Sequence, residues 1–425
     1  MKKMDYQNVK GTQDYLPKDE VIRRNVRRTF EDIFIQYGCK PLETPILNYT
    51  ELLASKYGGG AEILEEMYTL TDRGKRDLAL RYDLTIPFAK VVALNPTISM
   101  PFKRYEIGKV FRDGPIKTGR LREFTQCDVD IVGAPSQIAE AELMMMALDA
   151  FEKLNVQVTI QYNNRKLLSG VLEVFGTPIE KMNKVVLILD KIEKVGLEKV
   201  LAELSEQGIS SGSVKLMEQF LTEKNNRNLD YFESFAAENE QARQGLKELK
   251  ELESYLRYLM VNEQCEFNPF LARGLEIYTG TIYEIFLEDK TIKSSIGSGG
   301  RYDHAIGGLI GSNEKISTVG ISFGLDVIYT ALSLKEMNSN NPSVDLYVIP
   351  INTLRESLFV AKSYRRQGYK VELELGNKKL GKALEKANKE KIRKVIIIGE
   401  DEVRNNQYRL KDMITGEESM VEFRY

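Results

Sequence analysis

The sequence predicts an α+β domain built on an antiparallel sheet, interrupted by a helical insertion and followed by a C-terminal α/β domain. Three observations carry this. Residues 105–112 and 124–132 are apolar or alternating stretches flanking a loop rich in Gly, Pro, Lys and Arg, the pattern of a long antiparallel hairpin. From about residue 170 to 263 the texture turns to Lys, Glu and Leu, with glycines punctuating short helical patterns. Beyond residue 343 strand and helix patterns alternate, which builds a small, mainly parallel sheet. The boundaries that follow are 1–169 and 264–333 for the first domain, 170–263 for the insertion, 334–343 for a polar linker and 344–425 for the C-terminal domain.

Composition narrows the function classes. A chain of 425 residues, 42% of them hydrophobic, has material for about two to four domains. The formal charge of −2 gives no global basic character. Cys39, Cys127 and Cys265 lie far apart without a CxxC pair, and His304 is the lone histidine, so no metal-ligand spacing exists. These cysteines fit a reducing cytoplasm. The opening MKKMDYQNVKG lacks the apolar segment of a signal peptide, and no apolar run of about 18 residues is present to span a membrane.

Taken in order, K-G-T-Q-D-Y-L-P at 10–17 is turn-rich, and Pro17 suits the entry to a helix. Residues 20–37 carry Val21, Ile22, Val26, Phe30, Ile33 and Phe34 near the helical period, and Gly38 stops the run. Residues 42–47 read as a short strand whose Pro45 belongs at an edge or interface. Y-G-G-G-A at 57–61 is a flexible loop by composition. Residues 67–70 and 78–82 pair as strands across the turn at 72–75, leading into R-Y-D-L-T-I-P. Asp83 and Thr85, two apart, are expected on one strand face, where a carboxylate beside a hydroxyl suits an ammonium group. Residues 137–154 form an amphipathic helix and 156–162 a strand, with Asn163 or Asn164 capping the next helix.

After the insertion, strand character returns at Phe267. In N-P-F-L-A-R-G-L-E-I-Y-T-G, Arg273 precedes Gly274, which lets backbone pass close to a ligand, and Tyr278 offers a phenol and a ring. S-I-G-S-G-G-R-Y-D at 295–303 lacks the G-K-[ST] of a phosphate loop; its glycines let a ring or a carboxylate approach the backbone. Residues 316–331 read as strand–Gly–helix, and His304 is assigned no role. The C-terminal domain reads as strands at 345–349, 369–375 and 394–399 with helices at 353–367 and 378–390. It holds 17 Lys and Arg against 13 Asp and Glu, and its cluster of Arg365, Arg366, Lys378, Lys379, Lys386, Lys389, Lys391, Arg393 and Lys394 suits RNA.

The hairpin concentrates the chemistry. Arg112 ends its first strand, and Arg120 and Arg122 open the second, so three guanidinium forks can converge on a polyphosphate. Gln126, Asp128 and Asp130 alternate along the return strand and share one face. Cations beside spaced acids and an amide suit a ligand with one anionic and one cationic end.

F-R, a basic loop, then R-E-F on the return strand resembles motif 2 of the class II aminoacyl-tRNA synthetases, and R-E-F-T-Q-C-D-V-D-I-V-G is similar to that of the histidyl-tRNA synthetases. The resemblance extends through K-G-T-Q-D-Y-L-P, L-R-Y-D-L-T-I-P-F-A, L-A-R-G-L-E-I-Y-T-G and S-G-G-R-Y-D, in family order over nearly the whole chain. The helix 20–37 with its Pro-bearing strand is similar to the dimer-forming motif 1, and the C-terminal unit to the anticodon-binding domain. This implies an enzyme that activates L-histidine with ATP to histidyl-adenylate and transfers it to the 3′ end of tRNA(His). It implies a cytoplasmic homodimer, with Mg²⁺ accompanying ATP and no dedicated protein cage for a metal. The tRNA would meet the motif 2 loop and the C-terminal domain.

Residue by residue, the resemblance implies that Asp83 and Thr85, with Leu84 between them, hold the amino group of histidine. Gln126 and Asp130 complete its recognition, Asp130 reading an imidazole N–H, and Ile277 and Tyr278 close the imidazole pocket. Arg112 holds the histidine carboxylate and the ATP α-phosphate in line. Arg120 and Arg122 meet ATP phosphates or the tRNA acceptor end, Glu123 and Phe124 the adenine, and Asp326 stands at the acid position of motif 3. Arg273 stabilises charge as pyrophosphate leaves. One anion attacks another in this reaction, so the tools are charge neutralisation and alignment rather than a nucleophilic side chain. Two positions depart from the family: Val327 stands where motif 3 carries Arg, and Ile277 replaces the first of two adjacent tyrosines. A different class of function shares this fold, a catalytically silent paralogue that senses histidine as regulatory subunit of ATP phosphoribosyltransferase. Val327 is the feature that favours it, and the basic loop and C-terminal domain favour the enzyme.

Overall fold

In the computed structural model the first unit, Met1–Leu334, contains strands β1 (Lys40–Pro41), β2 (Leu47–Tyr49), β3 (Thr69–Thr71), β4 (Asp77–Leu80), β5 (Phe102–Phe111), β6 (Glu123–Val132), β7 (Val158–Asn164), β8 (Cys265–Phe267), β9 (Thr281–Leu287), β10 (Gly297–Arg301) and β11 (Thr318–Gly324). The structure describes residues 6–55, 61–223, 225–272, 277–309, 311, 314–335, 344–376 and 378–423. Eight of the strands form one sheet in the order β1-β5-β6-β11-β10-β9-β7-β8. The predicted hairpin is its spine: β5 and β6 pair antiparallel from Phe102↔Val132 to Phe111↔Glu123. β11, β10, β9 and β7 continue antiparallel, and β1 and β8 join the two edges in parallel. The expected antiparallel sheet is therefore the body of a mixed one.

The two-residue period sorts the faces of this sheet. Cys127, Val129 and Ile131 of β6 and Val319, Ile321 and Phe323 of β11 enter the core with Phe30, Phe34 and Phe151. Those phenylalanines come from the helices Pro17–Gln36 and Ile138–Lys153, and the Phe30 and Phe323 ring centroids are 4.6 Å apart. Gln126, Asp128, Asp130, Gly320 and Ser322 must then turn to the opposite face. Arg301 ties the second helix down, its Nε and Nη2 donating to the two Glu140 carboxylate oxygens at 2.7 Å, both side chains buried.

Two local expectations are corrected. No strand forms across 42–46, because Pro45 has no N–H for a ladder. Thr44 instead donates its N–H and hydroxyl to the Glu106 carboxylate at 3.0 Å. β4 pairs with β3 as expected but ends at Leu80, so Asp83 and Thr85 do not share a strand face. They open the helix Thr85–Leu94, where Pro87 is tolerated in the first turn, and Asp83 Oδ1 accepts from Ile86 N at 3.1 Å as a cap.

From Arg165–Val174 to Glu240–Tyr258 the chain is a run of helices and short 3-10 turns, opened by Asn164, whose side chain accepts from Lys166 N. Leu246, Leu249, Leu252 and Leu256 share one hydrophobic cluster with the sheet. The glycine run at 57–60, the pair Arg273–Gly274 and the linker residues 336–343 lie outside the described residues.

The second unit, Lys335–Tyr425, holds β12 (Leu346–Pro350), β13 (Val371–Leu373), β14 (Lys394–Ile398), β15 (Gln407–Asp412) and β16 (Glu418–Glu422) in the order β13-β12-β14-β15-β16. The first three are parallel, with helices Leu354–Arg366 and Leu380–Lys389 where the sequence predicts them. β15 and β16 add antiparallel pairs that the sequence reading does not include, because Q-Y-R-L-K-D and E-S-M-V-E carry few buried side chains. Part of the basic cluster is neutralised locally: Lys386 pairs with Glu372, Lys378 with Glu374 at 3.2 Å, and Arg393 with Asp412 at 3.0 Å. Among the described residues no helix is long and apolar enough to cross a membrane.

Candidate active site

Sheet register builds the cleft. Asp130 lies opposite Gly320, which lies opposite Gly300; one row along, Asp128 lies opposite Ser322 and Ser322 opposite Ser298. A Cβ on Gly320 would overlap Asp130 Oδ1, and one on Gly300 would sit 2.8 Å from the Tyr278 ring. A carboxylate and a ring thus approach bare backbone, as the glycine-rich run predicts. The resulting cleft has about 470 Å³ of empty volume, part of it open to solvent, and is lined by Asp83, Thr85, Asp128, Asp130, Ile277, Tyr278, Ser298, Tyr302 and Ser322 among others. Gln126 lies at the same face, its Nε2 donating to Ser322 Oγ at 2.7 Å. Leu84 is buried behind the cleft, and its carbonyl accepts from Arg104 Nη2 at 3.2 Å.

The charges are unevenly matched. Arg104 is 0% exposed; its Nη2 is 2.6 Å from Asp130 Oδ2, its Nη1 3.6 Å from Glu106, and its Cζ 4.3 Å from the Phe88 centroid. The Tyr302 hydroxyl donates to Asp130 Oδ1. Burial raises the Asp130 carboxyl, and Arg104 and Tyr302 oppose that rise. Glu106 is also held by Arg81 Nη1 at 2.7 Å. Burial pushes Asp83 up to about 6 against the Ile86 N–H and Arg112. Burial pushes Asp128 up to about 8, opposed by Arg104 and reinforced by Asp130.

These two shifts predict a pH dependence. Folded values above unfolded ones mean that the unfolded chain releases these protons first, so stability falls as pH rises from the ordinary carboxylate range through 6 and 8. Acids whose values are lowered, such as Asp72, act in the opposite sense, but only below their ordinary values. The thermal midpoint of the first unit is expected to drop between about pH 5 and pH 8.5, and Asp128→Asn to flatten the upper half of that drop. Differential scanning calorimetry across that range checks both.

On the other side of the cleft, Arg112 Nε donates to Tyr82 O at 2.9 Å, and its Cζ lies 5.2 Å from the Phe124 centroid. Burial lowers the Arg112 pKa, Asp83 supports its charge and Arg120 opposes it. Arg120 and Arg122 do not open the return strand, since β6 begins at Glu123. Arg120 pairs with Glu66 at 3.2 Å, Arg122 with Asp113 at 2.9 Å, and Lys109 with Glu123. Acids that were not foreseen thus hold two of the three guanidiniums. A tight turn closes the loop, with reciprocal Lys117–Arg120 backbone hydrogen bonds of 3.1 and 2.8 Å. Gly119 in that turn has φ +73° and sits against Val327, where an added Cβ would be 2.8 Å from Cγ2. Asp326 spends its carboxylate inside the protein, accepting from the Tyr15 hydroxyl at 2.7 Å, from Arg23, and from Thr125 N at 2.6 Å. Among the described residues no group of three His, Cys, Asp or Glu could hold a metal ion.

Sequence reasoning gave no role to Arg104 or Tyr302. Arg104 was legible in one way: in the hairpin register it falls directly opposite Asp130. Tyr302 stands in S-G-G-R-Y-D, but only the fold shows that its hydroxyl reaches β6.

A family model for histidyl-tRNA synthetase matches residues 11–328, and one for an anticodon binding domain matches residues 345–424. The chain is 58% identical to Histidine–tRNA ligase 2 of Shouchella clausii (strain KSM-K16), over 100% of both chains. It is 35% identical to Histidine–tRNA ligase of Wolinella succinogenes, over 96% of this chain and 94% of that one. Its structure is similar to the crystal structure of histidyl-tRNA synthetase from Nostoc sp. PCC 7120, with TM-score 0.85, 30% identity, and coverage of 99% and 97%. A protein titled ATP phosphoribosyltransferase regulatory subunit/histidyl-tRNA synthetase from Bacillus halodurans C shares the fold at TM-score 0.77 and 18% identity, covering 94% of this chain and 99% of that one. With an acid-lined cleft beside a buried arginine, and these matches along its full length, the chain belongs to the histidyl-tRNA synthetase family of aminoacyl-tRNA ligases.

Proposed function

We propose that the chain activates L-histidine with ATP as histidyl-adenylate and transfers it to the 3′ end of tRNA(His), acting as a cytoplasmic homodimer. The observation that carries this is the pairing of Asp83, Asp128 and Asp130 in one cleft with the half-buried Arg112 beside it. Such a site fits a ligand that is cationic at one end and anionic at the other. In this reading Asp83 and Thr85, flanking Leu84, hold the ammonium together with Gln126. Asp130, oriented by Arg104 and Tyr302, takes an imidazole N–H, and Ile277 and Tyr278 cover the ring. Arg112 lies between the histidine carboxylate and the α-phosphate. A carboxylate oxygen bonds to the α-phosphorus as pyrophosphate leaves, and Arg273 steadies the departing charge. Mg²⁺ brought with the nucleotide neutralises its phosphates.

Arg120 and Arg122 would exchange Glu66 and Asp113 for phosphates or the tRNA acceptor end, and Glu123 and Phe124 would frame the adenine. Asp326 would act as a positioning residue through Tyr15, Arg23 and Thr125. The second unit, with its basic cluster, would take the tRNA. Residues 170–263 would serve as an insertion in the catalytic domain. Ile46, Leu47 and Tyr49, exposed at and beside the edge strand β2, offer the apolar surface a homodimer would cover.

Histidine-dependent ATP–pyrophosphate exchange, with the other amino acids as controls, tests the reading. Exchange with histidine alone supports it. Calorimetric binding of histidine without exchange supports instead a histidine-sensing paralogue, a reading favoured by Val327 lying under the Gly119 turn where the family carries a cation. One substitution tests the cleft itself. Gly320→Ala drives a methyl into Asp130, so it is expected to weaken histidine binding at least tenfold and to cost about 1–3 kcal/mol of stability by overpacking. Calorimetric titration and urea unfolding read the two effects.

A further inference from the structure

We propose that Asp128 is the third acceptor for the α-ammonium of the amino acid substrate, completing with Asp83 and the Gln126 carbonyl oxygen a site that reads the amino group by charge. The proposal rests on reading the cleft as the histidine site, and it assigns a role to an acid that neither the family resemblance nor the reaction has used.

The two carboxylates nearest Asp128 on this face have their charges answered. Asp130 has Arg104 and Tyr302, and Glu106 has Arg81 and Thr44. Asp128 is 3% exposed and lines the cleft, and its Oδ1 has no hydrogen-bond partner among the described residues. The Ser322 hydroxyl favours its ionised form by a side-chain hydrogen bond. Two residues earlier on the same strand face, Gln126 gives Nε2 to Ser322 Oγ, and its buried Oε1 has no partner among the described residues. Two consecutive acceptors are thus turned to one face and unfilled. An acceptor buried without a donor is costly, and a carboxylate more so. A ligand that brings donors recovers that cost.

The donor count selects the ammonium. A protonated amine carries three N–H donors, and a neutral imidazole one. Asp130, held rigidly by Arg104 and Tyr302, is matched to the single donor. Asp83 with Thr85 beside it, Gln126 Oε1 and Asp128 are matched to the three. The groups facing Asp128 are Arg104 and Glu106 from β5, Asp130 on its own strand, Ser322 of β11, Tyr302 after β10 and Asp83 before the helix Thr85–Leu94. Arg104 is the cation among them, and it is shared with Asp130 and Glu106. Near neutral pH burial leaves Asp128 largely protonated. Accepting from an ammonium requires the ionised form, so binding sends the carboxyl proton to solvent and breaks no other bond.

Calorimetry of the full chain near pH 7, in two buffers of different ionisation enthalpy, tests this with L-histidine and with imidazolepropionate, which lacks the amino group. Once the protons shed by each free ligand's own imidazole at that pH are subtracted, the expected result is release of about half to one more proton with histidine than with imidazolepropionate. Asp128→Asn is expected to abolish that difference, weaken histidine at least tenfold, and leave imidazolepropionate within about twofold. The proton count on the unaltered chain stands as a test even if the variant does not fold. Equal proton release with both ligands overturns the proposal, as does an Asn variant that binds histidine like the parent chain or loses both ligands equally. A parent chain that binds neither ligand overturns the histidine reading and this assignment with it. Histidine binding without the extra proton overturns this assignment alone.

Discussion

Arg112→Ala is expected to lower histidine-dependent ATP–pyrophosphate exchange by about 10³-fold, the scale on which removing a preorganised cation or oxyanion donor acts. The geometry gives the reason. Arg112 follows the end of β5, is anchored through Nε to Tyr82 O at 2.9 Å, and lies over the Phe124 ring. Its burial disfavours its own charge, so the site gains most when an anion arrives. Two anions must meet for the adenylate to form, and their repulsion peaks as the new bond forms. The loss should therefore fall more on kcat than on the histidine KM. Arg112→Lys should recover little, because one ammonium cannot bridge a carboxylate and a phosphate as a planar fork does. Exchange kinetics over both substrates, with the thermal midpoint as a folding control, decide it. Exchange within tenfold of the parent chain would remove Arg112 from the reacting centre.

The parts of this site that were legible in the sequence are those set by short-range periodicity. Alternation put Gln126, Asp128 and Asp130 on one face, and the structure keeps them there, opposite Gly324, Ser322 and Gly320. The glycine run at 297–300 signalled close approach, and Tyr278 makes that approach. What failed was alternation carried one element too far. L-R-Y-D-L-T-I-P continues a strand pattern, but Asp83 caps a helix and ends it. Pairings distant in sequence were also out of reach: Glu66 with Arg120 spans 54 positions and Asp326 with Tyr15 spans 311. Val327 makes the same point. By sequence it is a missing cation, whereas in the fold it supports the Gly119 turn of the basic loop. An arginine there would have to displace that turn or reach past it.

Arg104→Ala is expected to destabilise the first unit by about 3–5 kcal/mol, the cost of leaving a buried charge without its partner. Arg104 is 0% exposed, and its removal leaves Asp130 with Tyr302 as its one partner among the described residues and weakens the hold on Glu106. The Phe88 ring and the Leu84 carbonyl lose their contacts as well. Asp130 would then hold a proton well above the ordinary range and could no longer present a fixed carboxylate to an imidazole N–H, so histidine affinity should fall with stability. A double-mutant cycle separates the causes. Arg104→Met fills the volume without the charge, and Asp130→Asn removes the stranded charge. If unpaired charge dominates, the double variant should recover much of the loss, giving a coupling of about 1–3 kcal/mol by urea unfolding. If the two losses simply add, Arg104 matters mainly for what it packs against, and the orientation of Asp130 would have to come from Tyr302. Histidine titration of the same four proteins then tells whether the guanidinium shapes the pocket or only supports the sheet beneath it.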